Sequence, residues 1–214
     1  MMGESDSSPP ILRHKWYEQP SVFMPGNLLR EARRQRAIPD GQVPRVCVLD
    51  PDGDIVRNLC ATNKARLNPH WACYHTQLYD FECDGMELGI IGCAVGASFA
   101  VLVAEELFAS GCQLLISVTS AGQILPNEPP PFFVLIEKAL RDEGTSYHYL
   151  PPAGYAEIDG ALLAMLSGVF AEVTVPVYQG ATWTTDAPFR ETALAIEHAC
   201  GEALLAVEME AAAL

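Results

Sequence analysis

Cations are scarce in this chain. Its 214 residues carry 13 Lys and Arg against 27 Asp and Glu, a net charge of −14. The shortage is uneven: residues 1–45 hold seven Lys/Arg and five Asp/Glu, so the acidic excess belongs to the remainder. Such a body lacks the electrostatic footprint of a DNA- or RNA-binding protein, although one small anion in a local basic pocket is compatible with it. Paired cysteines are missing too. The seven cysteines (47, 60, 73, 83, 93, 112 and 200) form no Cys-x-x-Cys pair, and several sit in apolar runs. That usage fits a reduced, cytoplasmic protein without structural zinc. The polar, acidic first ten residues make no signal peptide. Residues 88–104 are uncharged but hold Gly89, Gly92, Gly96 and Ser98, with Glu105 and Glu106 directly after. A strand, a glycine turn and a helix explain them better than a membrane span. Walker loops, Gly-x-Gly-x-x-Gly turns, internal repeats and low-complexity tracts are also absent from the sequence.

What is present describes one globular domain. An apolar fraction of 50% over this length supplies a full core but not two comfortable ones. Residues 1–20 are expected to be a mobile segment and residues 21–214 the domain. The four arginines of residues 28–36 read as a short basic helix. Residues 45–49 read as a strand closed by the turn Asp50-Pro51-Asp52-Gly53. Residues 57–72 lack clear periodicity. A strand pair is expected over 73–81 and 86–93 around Asp84-Gly85. Residues 97–110 have helical apolar spacing and stop at Gly111. Residues 114–118 suit a strand covered on both faces, and 132–136 another, with an irregular stretch over 140–149. Helices are expected over 157–168 and 188–200, the latter capped by Thr185 or Asp186. Strands are expected over 173–178 and 203–207, and a helix over the terminal alanines. Alternating strands and helices predict an α/β three-layer sandwich with a central mixed β-sheet flanked by helices.

Four stretches carry chemistry. Val207-Glu208-Met209-Glu210-Ala211-Ala212-Ala213 sits where a buried strand hands over to the alanine run. In strand geometry Glu208 and Glu210 share a side and Met209 faces the other. A carboxylate there can accept from a vicinal diol, and a thioether can lie on a flat sugar. Spacing alone fits two solvated glutamates on a surface helix at least as well. Phe23-Met24-Pro25-Gly26-Asn27-Leu28-Leu29-Arg30 joins a Pro-Gly turn to an arginine at a helix opening, which suits an oxyanion or a merely exposed helix start. Ser117-Val118-Thr119-Ser120-Ala121-Gly122 follows a buried strand with small residues that allow close approach of a ligand. In Gly180-Ala181-Thr182-Trp183-Thr184-Thr185-Asp186, Trp183 is either a core tryptophan or a flat face for a nucleobase.

Together these stretches resemble the nucleoside phosphorylase family that holds bacterial purine nucleoside and uridine phosphorylases. Gly92-Cys93-Ala94-Val95-Gly96 followed by Ala104-Glu105-Glu106-Leu107, and Gly144-Thr145-Ser146, are similar to further family segments. The resemblance implies phosphorolysis of a purine or pyrimidine nucleoside to base and ribose 1-phosphate, with inorganic phosphate as co-substrate and no cofactor or metal. Carried over by position, Gly26, Arg30, Ser117 and Ser120 would hold phosphate. Met209, Glu210 and His14 would hold ribose, and Ala121, Gly122, Trp183 and Glu208 the base. One departure is large: Ser117 stands where the family has an arginine that binds phosphate, unless Arg57 or Arg66 of a neighbouring subunit compensates. Hydrolysis by a nucleosidase on the same fold, or a catalytically weak nucleoside-binding protein, are the alternatives. The resemblance further implies a homo-oligomer, hexamer or dimer, with no nucleic-acid or membrane partner. It also implies another strand and helix beyond Leu214, where purine-specific members keep the aspartate that protonates the base.

Overall fold

The computed structural model describes residues 8–126, 129–166 and 168–214. Two five-stranded mixed sheets form the body. The first half contributes α1 (Pro25–Arg36), β1 (Val46–Asp50), α2 (Asp54–Ala61), β2 (Ala65–Leu67), β3 (Leu78–Cys83), β4 (Met86–Gly92), α3 (Ala97–Ala109) and β5 (Leu114–Ser117). Its strand order is β2-β3-β4-β1-β5. β4, β1 and β5 are parallel, and β2 and β3 add antiparallel strands at one edge. The second half contributes β6 (Gly122–Gln123), β7 (Phe133–Asp142), β8 (Tyr155–Glu157), α4 (Gly160–Leu166), β9 (Val177–Thr185), α5 (Ala193–Gly201) and β10 (Ala206–Glu208). Its order is β6-β10-β9-β7-β8, with β10, β9 and β7 parallel. The α/β class and mixed pairing match the sequence; the strands are divided between two sheets instead of filling one central sheet.

Each half has its own core. Leu49, Leu78, Ile91, Val103 and Leu107 pack between the first sheet and α3. Ile124, Ala181, Trp183, Leu204 and Val207 fill the second. The β3–β4 hairpin turns through Asp84 (φ 50°) and Gly85 (φ 77°), both in the left-handed region that a two-residue hairpin loop requires.

Several elements differ from their sequence pattern. Residues 54–61 form α2, a short helix not expected from the sequence, with no residue fully buried. β7 runs on to Asp142, where irregular chain was expected, because it pairs with β9 over its whole length. Glu157 closes β8, so α4 begins at Gly160; Ser167, in the expected helix, lies outside the described residues. The 173–178 strand begins only at Val177. Thr185 ends β9, and a 3-10 turn over Pro188–Arg190 precedes α5, which is capped by the Thr192 hydroxyl accepting from the Ala195 amide. β5 is an edge strand with Leu114 and Ile116 exposed, so it is not covered on both faces. The terminal alanines form turns in place of a helix. Of the expected mobile segment, residues 1–7 lie outside the described residues. Residues 10–17 run against the 144–148 loop, where Lys15 meets His148 and the Tyr17 hydroxyl donates to the Tyr147 carbonyl.

Glu106 is an outlier in the first core. It is 2% exposed on α3, and neither carboxylate oxygen has a hydrogen-bond partner. Burial raises its pKa, with Cys73 and His75 opposing. A carboxyl raised in the folded state favours folding while it stays protonated, and that contribution is lost as pH rises through the folded pKa. Glu106→Gln is therefore expected to be neutral in acid and increasingly stabilising as pH rises through the raised folded pKa. Thermal unfolding of both proteins across pH checks this; a constant difference at all pH values would count against it.

Candidate active site

Parallel strands open a crevice at their carboxyl ends, where loops rather than side-chain layers meet. Here the ends of β1, β4, β5 and β10 converge with the link between β9 and α5. They enclose a cavity of ≈ 210 Å³ lined by Pro51 and Asp52, Val95, Thr119 to Gly122, Pro188 and Glu191, and Val207 to Glu210. A wider groove of ≈ 910 Å³ lies towards the amino end of β1, around Arg45, Arg66 and His70. Of the residues singled out as ligands it gathers only Arg66, whereas six line the smaller cavity, which is therefore the candidate site.

Glu210 is the central group. It is 2% exposed, and its Oε1 accepts from the Gly96 amide at 2.7 Å, at the start of α3. Its Oε2 is buried and has no hydrogen-bond partner. Burial raises the Glu210 pKa, neighbouring Glu208 adds to the rise, and the Gly96 amide opposes it. A buried carboxylate oxygen without a donor is costly unless a ligand supplies one. Met209 and Glu210 both line this cavity, the pairing expected for holding a sugar diol.

Glu208 does a different job. One oxygen accepts from the hydroxyls of Thr182 (3.2 Å) and Thr184, and the other from the amides of Glu210 and Ala211 (both 2.7 Å). The Thr184 hydroxyl in turn accepts from the Ala212 amide at 2.9 Å. Three successive amides after β10 are thus captured by side chains, which is why the alanine run turns without forming a helix. Glu208 lines the cavity, yet its acceptors are occupied within the protein. It fixes the backbone that carries Met209 and Glu210.

Asp52 faces the cavity from the turn after β1. Its carboxylate accepts from the Ser120 amide at 2.6 Å and from the Ser120 hydroxyl at 3.0 Å. Asp52, Glu191, Glu208 and Glu210 all line the cavity, whereas none of its lining residues is Lys or Arg.

Of the residues singled out in the sequence, Ser120, Ala121, Gly122, Glu208, Met209 and Glu210 come together here. The others do not line this cavity. Gly26 and Arg30 are on α1, which packs near α3, and Arg30 contacts Asn27 and Glu31. Ser117 is exposed at the end of β5. His14 is exposed and stacks on Trp16. Trp183 is 6% exposed in the second core and donates from Nε1 to Asp142 at 3.0 Å. Strand alternation explains its placement: Thr182 and Thr184 point to Glu208, so Trp183 points to the opposite face. Arg57 contacts Asp54, and Arg66 contacts Asp80 and Glu87. Asp52, Val95, Thr119, Pro188 and Glu191 were not singled out as site residues. Asp52 was visible only as part of a turn.

Four carboxylates and a methionine thus line a crevice at the ends of parallel strands. The chain belongs to the Phosphorylase superfamily, whose sequence profile matches residues 45–214. Its fold is similar to that of uridine phosphorylase from Vibrio fischeri ES114, at 24% identity with a TM-score of 0.68 over 81% of this chain and 72% of that one. The same enzyme with 6-hydroxy-1-naphthoic acid gives a TM-score of 0.69, also at 24% identity, over 81% and 71% of the respective chains. No curated protein sequence matches. Among the described residues, no helix is long and apolar enough to cross a membrane, and no group of three or more His, Cys, Asp or Glu is arranged to hold a metal ion.

Proposed function

We propose that this chain cleaves the N-glycosidic bond of a nucleoside to release the free base. The observation that carries this reading is Glu210, a buried carboxylate with one oxygen unpartnered, lining the cavity together with Met209. Cleavage proceeds through a sugar that gains positive charge, so a site needs contacts that hold the ring and negative potential around it. Glu210 supplies the ring contact through the 2′- and 3′-hydroxyls, and the acidic lining supplies the potential. In the family's chemistry phosphate attacks the anomeric carbon and ribose 1-phosphate forms. Hydrolysis is the second reading, supported by the lack of any lysine or arginine among the lining residues. Base release from a panel of purine and pyrimidine nucleosides, with and without phosphate, separates the two. Release only with phosphate supports phosphorolysis, phosphate-independent release supports hydrolysis, and no release from any nucleoside contradicts both.

We further propose that the protein is a homo-oligomer. Trp16, Phe23 and Met24 are 70%, 68% and 47% exposed beside α1, more apolar surface in one short segment than a monomer usually leaves in water. Light scattering at micromolar concentration is expected to give a multiple of the chain mass; a monomer mass would contradict this.

A further inference from the structure

The Ser120 amide and hydroxyl are two donors converging at the carboxyl end of β5, the natural receiving point for an anion at this cavity. Both are already engaged by the Asp52 carboxylate. An incoming phosphate would have to displace Asp52 from them and then sit within a few ångströms of its charge. No lysine or arginine in the lining offsets that repulsion, and Glu191 and Glu210 add to it. Arg30 and Arg57, the nearest candidates by sequence, contact Glu31 and Asp54.

Resting on the reading of this cavity as a nucleoside site, and on hydrolysis over phosphorolysis there, we infer that Asp52 is a resident anion that excludes inorganic phosphate and so decides which nucleophile the site admits. The Asp52–Ser120 pair spans 68 residues and ties the β1 turn to the β5–β6 link. It therefore fixes the mouth of the cavity as well as its charge. The site takes a nucleoside without a free anion alongside it, and Asp52 sets that preference without touching the sugar contacts of Glu210.

The test is calorimetric titration of inorganic phosphate into the wild-type protein, Asp52→Asn and Asp52→Ala, with nucleoside binding measured in the same preparations. Wild type is expected to show no saturable phosphate binding at millimolar concentration. Each variant is expected to bind phosphate about tenfold or more tighter, as removal of a like charge at contact distance predicts. Adding Ser120→Ala to Asp52→Asn is expected to reduce the gain, because it removes the released hydroxyl donor and leaves only the amide. Saturable millimolar binding by wild type overturns the inference, and so does the absence of a gain in a variant that still binds nucleoside. Should no preparation bind nucleoside, the nucleoside reading fails instead, while the phosphate titrations still report on Asp52.

Discussion

Glu210→Gln is expected to weaken ribonucleoside binding roughly tenfold or more, the worth of about 1–3 kcal/mol for hydrogen bonds to a buried charged acceptor. The amide keeps the shape of the side chain and an oxygen for the Gly96 amide, but it replaces the free oxygen by a donor that cannot receive a diol. A 2′,3′-dideoxynucleoside has no diol to lose and is expected to bind both proteins alike. Protonation acts in the same direction as the mutation. Because burial raises the Glu210 pKa, ribonucleoside affinity in wild type should fall as pH drops through that raised value, and the Gln variant should show no such titration. Folding offers an independent readout: removing a buried, half-satisfied carboxylate should leave stability equal or higher at neutral pH. Equal losses for both ligands would return Glu210 to a structural role.

Glu208→Ala is expected to have its largest effect on stability. It removes the shared acceptor of two threonine hydroxyls and two backbone amides, all at a buried position. Buried donors left unsatisfied cost ~1–3 kcal/mol each, and rotation of the hydroxyls to other acceptors recovers part of that, so a loss of about 3 kcal/mol is expected. Urea unfolding reports it directly as a lower midpoint at unchanged slope. Glu208→Gln should lose less, since one oxygen still serves the hydroxyls. A Glu208→Ala protein within about 0.5 kcal/mol of wild type would mean that the clamp contributes little, as for an ordinary surface site.

These two glutamates show how far the sequence can be read. Their spacing placed both at the end of a buried strand, and the cavity lies there. Spacing could not separate their roles, because the partners of Glu208 are hydroxyls on β9, 24 and 26 residues earlier in the chain. The same limit hid Asp52, whose turn was plain from Asp-Pro-Asp-Gly but whose partner Ser120 is 68 residues away. Local signals did better where the structure is local. The α3 boundary at Gly111 and the Asp84-Gly85 hairpin depend only on neighbouring residues, and both are present. α2 escaped because it is only eight residues long, although Ile55, Val56, Leu59 and Cys60 do share one face. Trp183 was legible as a buried aromatic; which face of β9 it occupies depends on a register that tertiary pairing sets.

The most direct measurement is a crystal structure of the protein with a ribonucleoside bound. The expected result is a sugar lying against Met209 with its 2′- and 3′-hydroxyls about 2.6–3.0 Å from Glu210 Oε2, inside the cavity at the carboxyl ends of β1, β5 and β10. A nucleoside bound elsewhere, or in this cavity with its diol turned away from Glu210, would contradict the assignment.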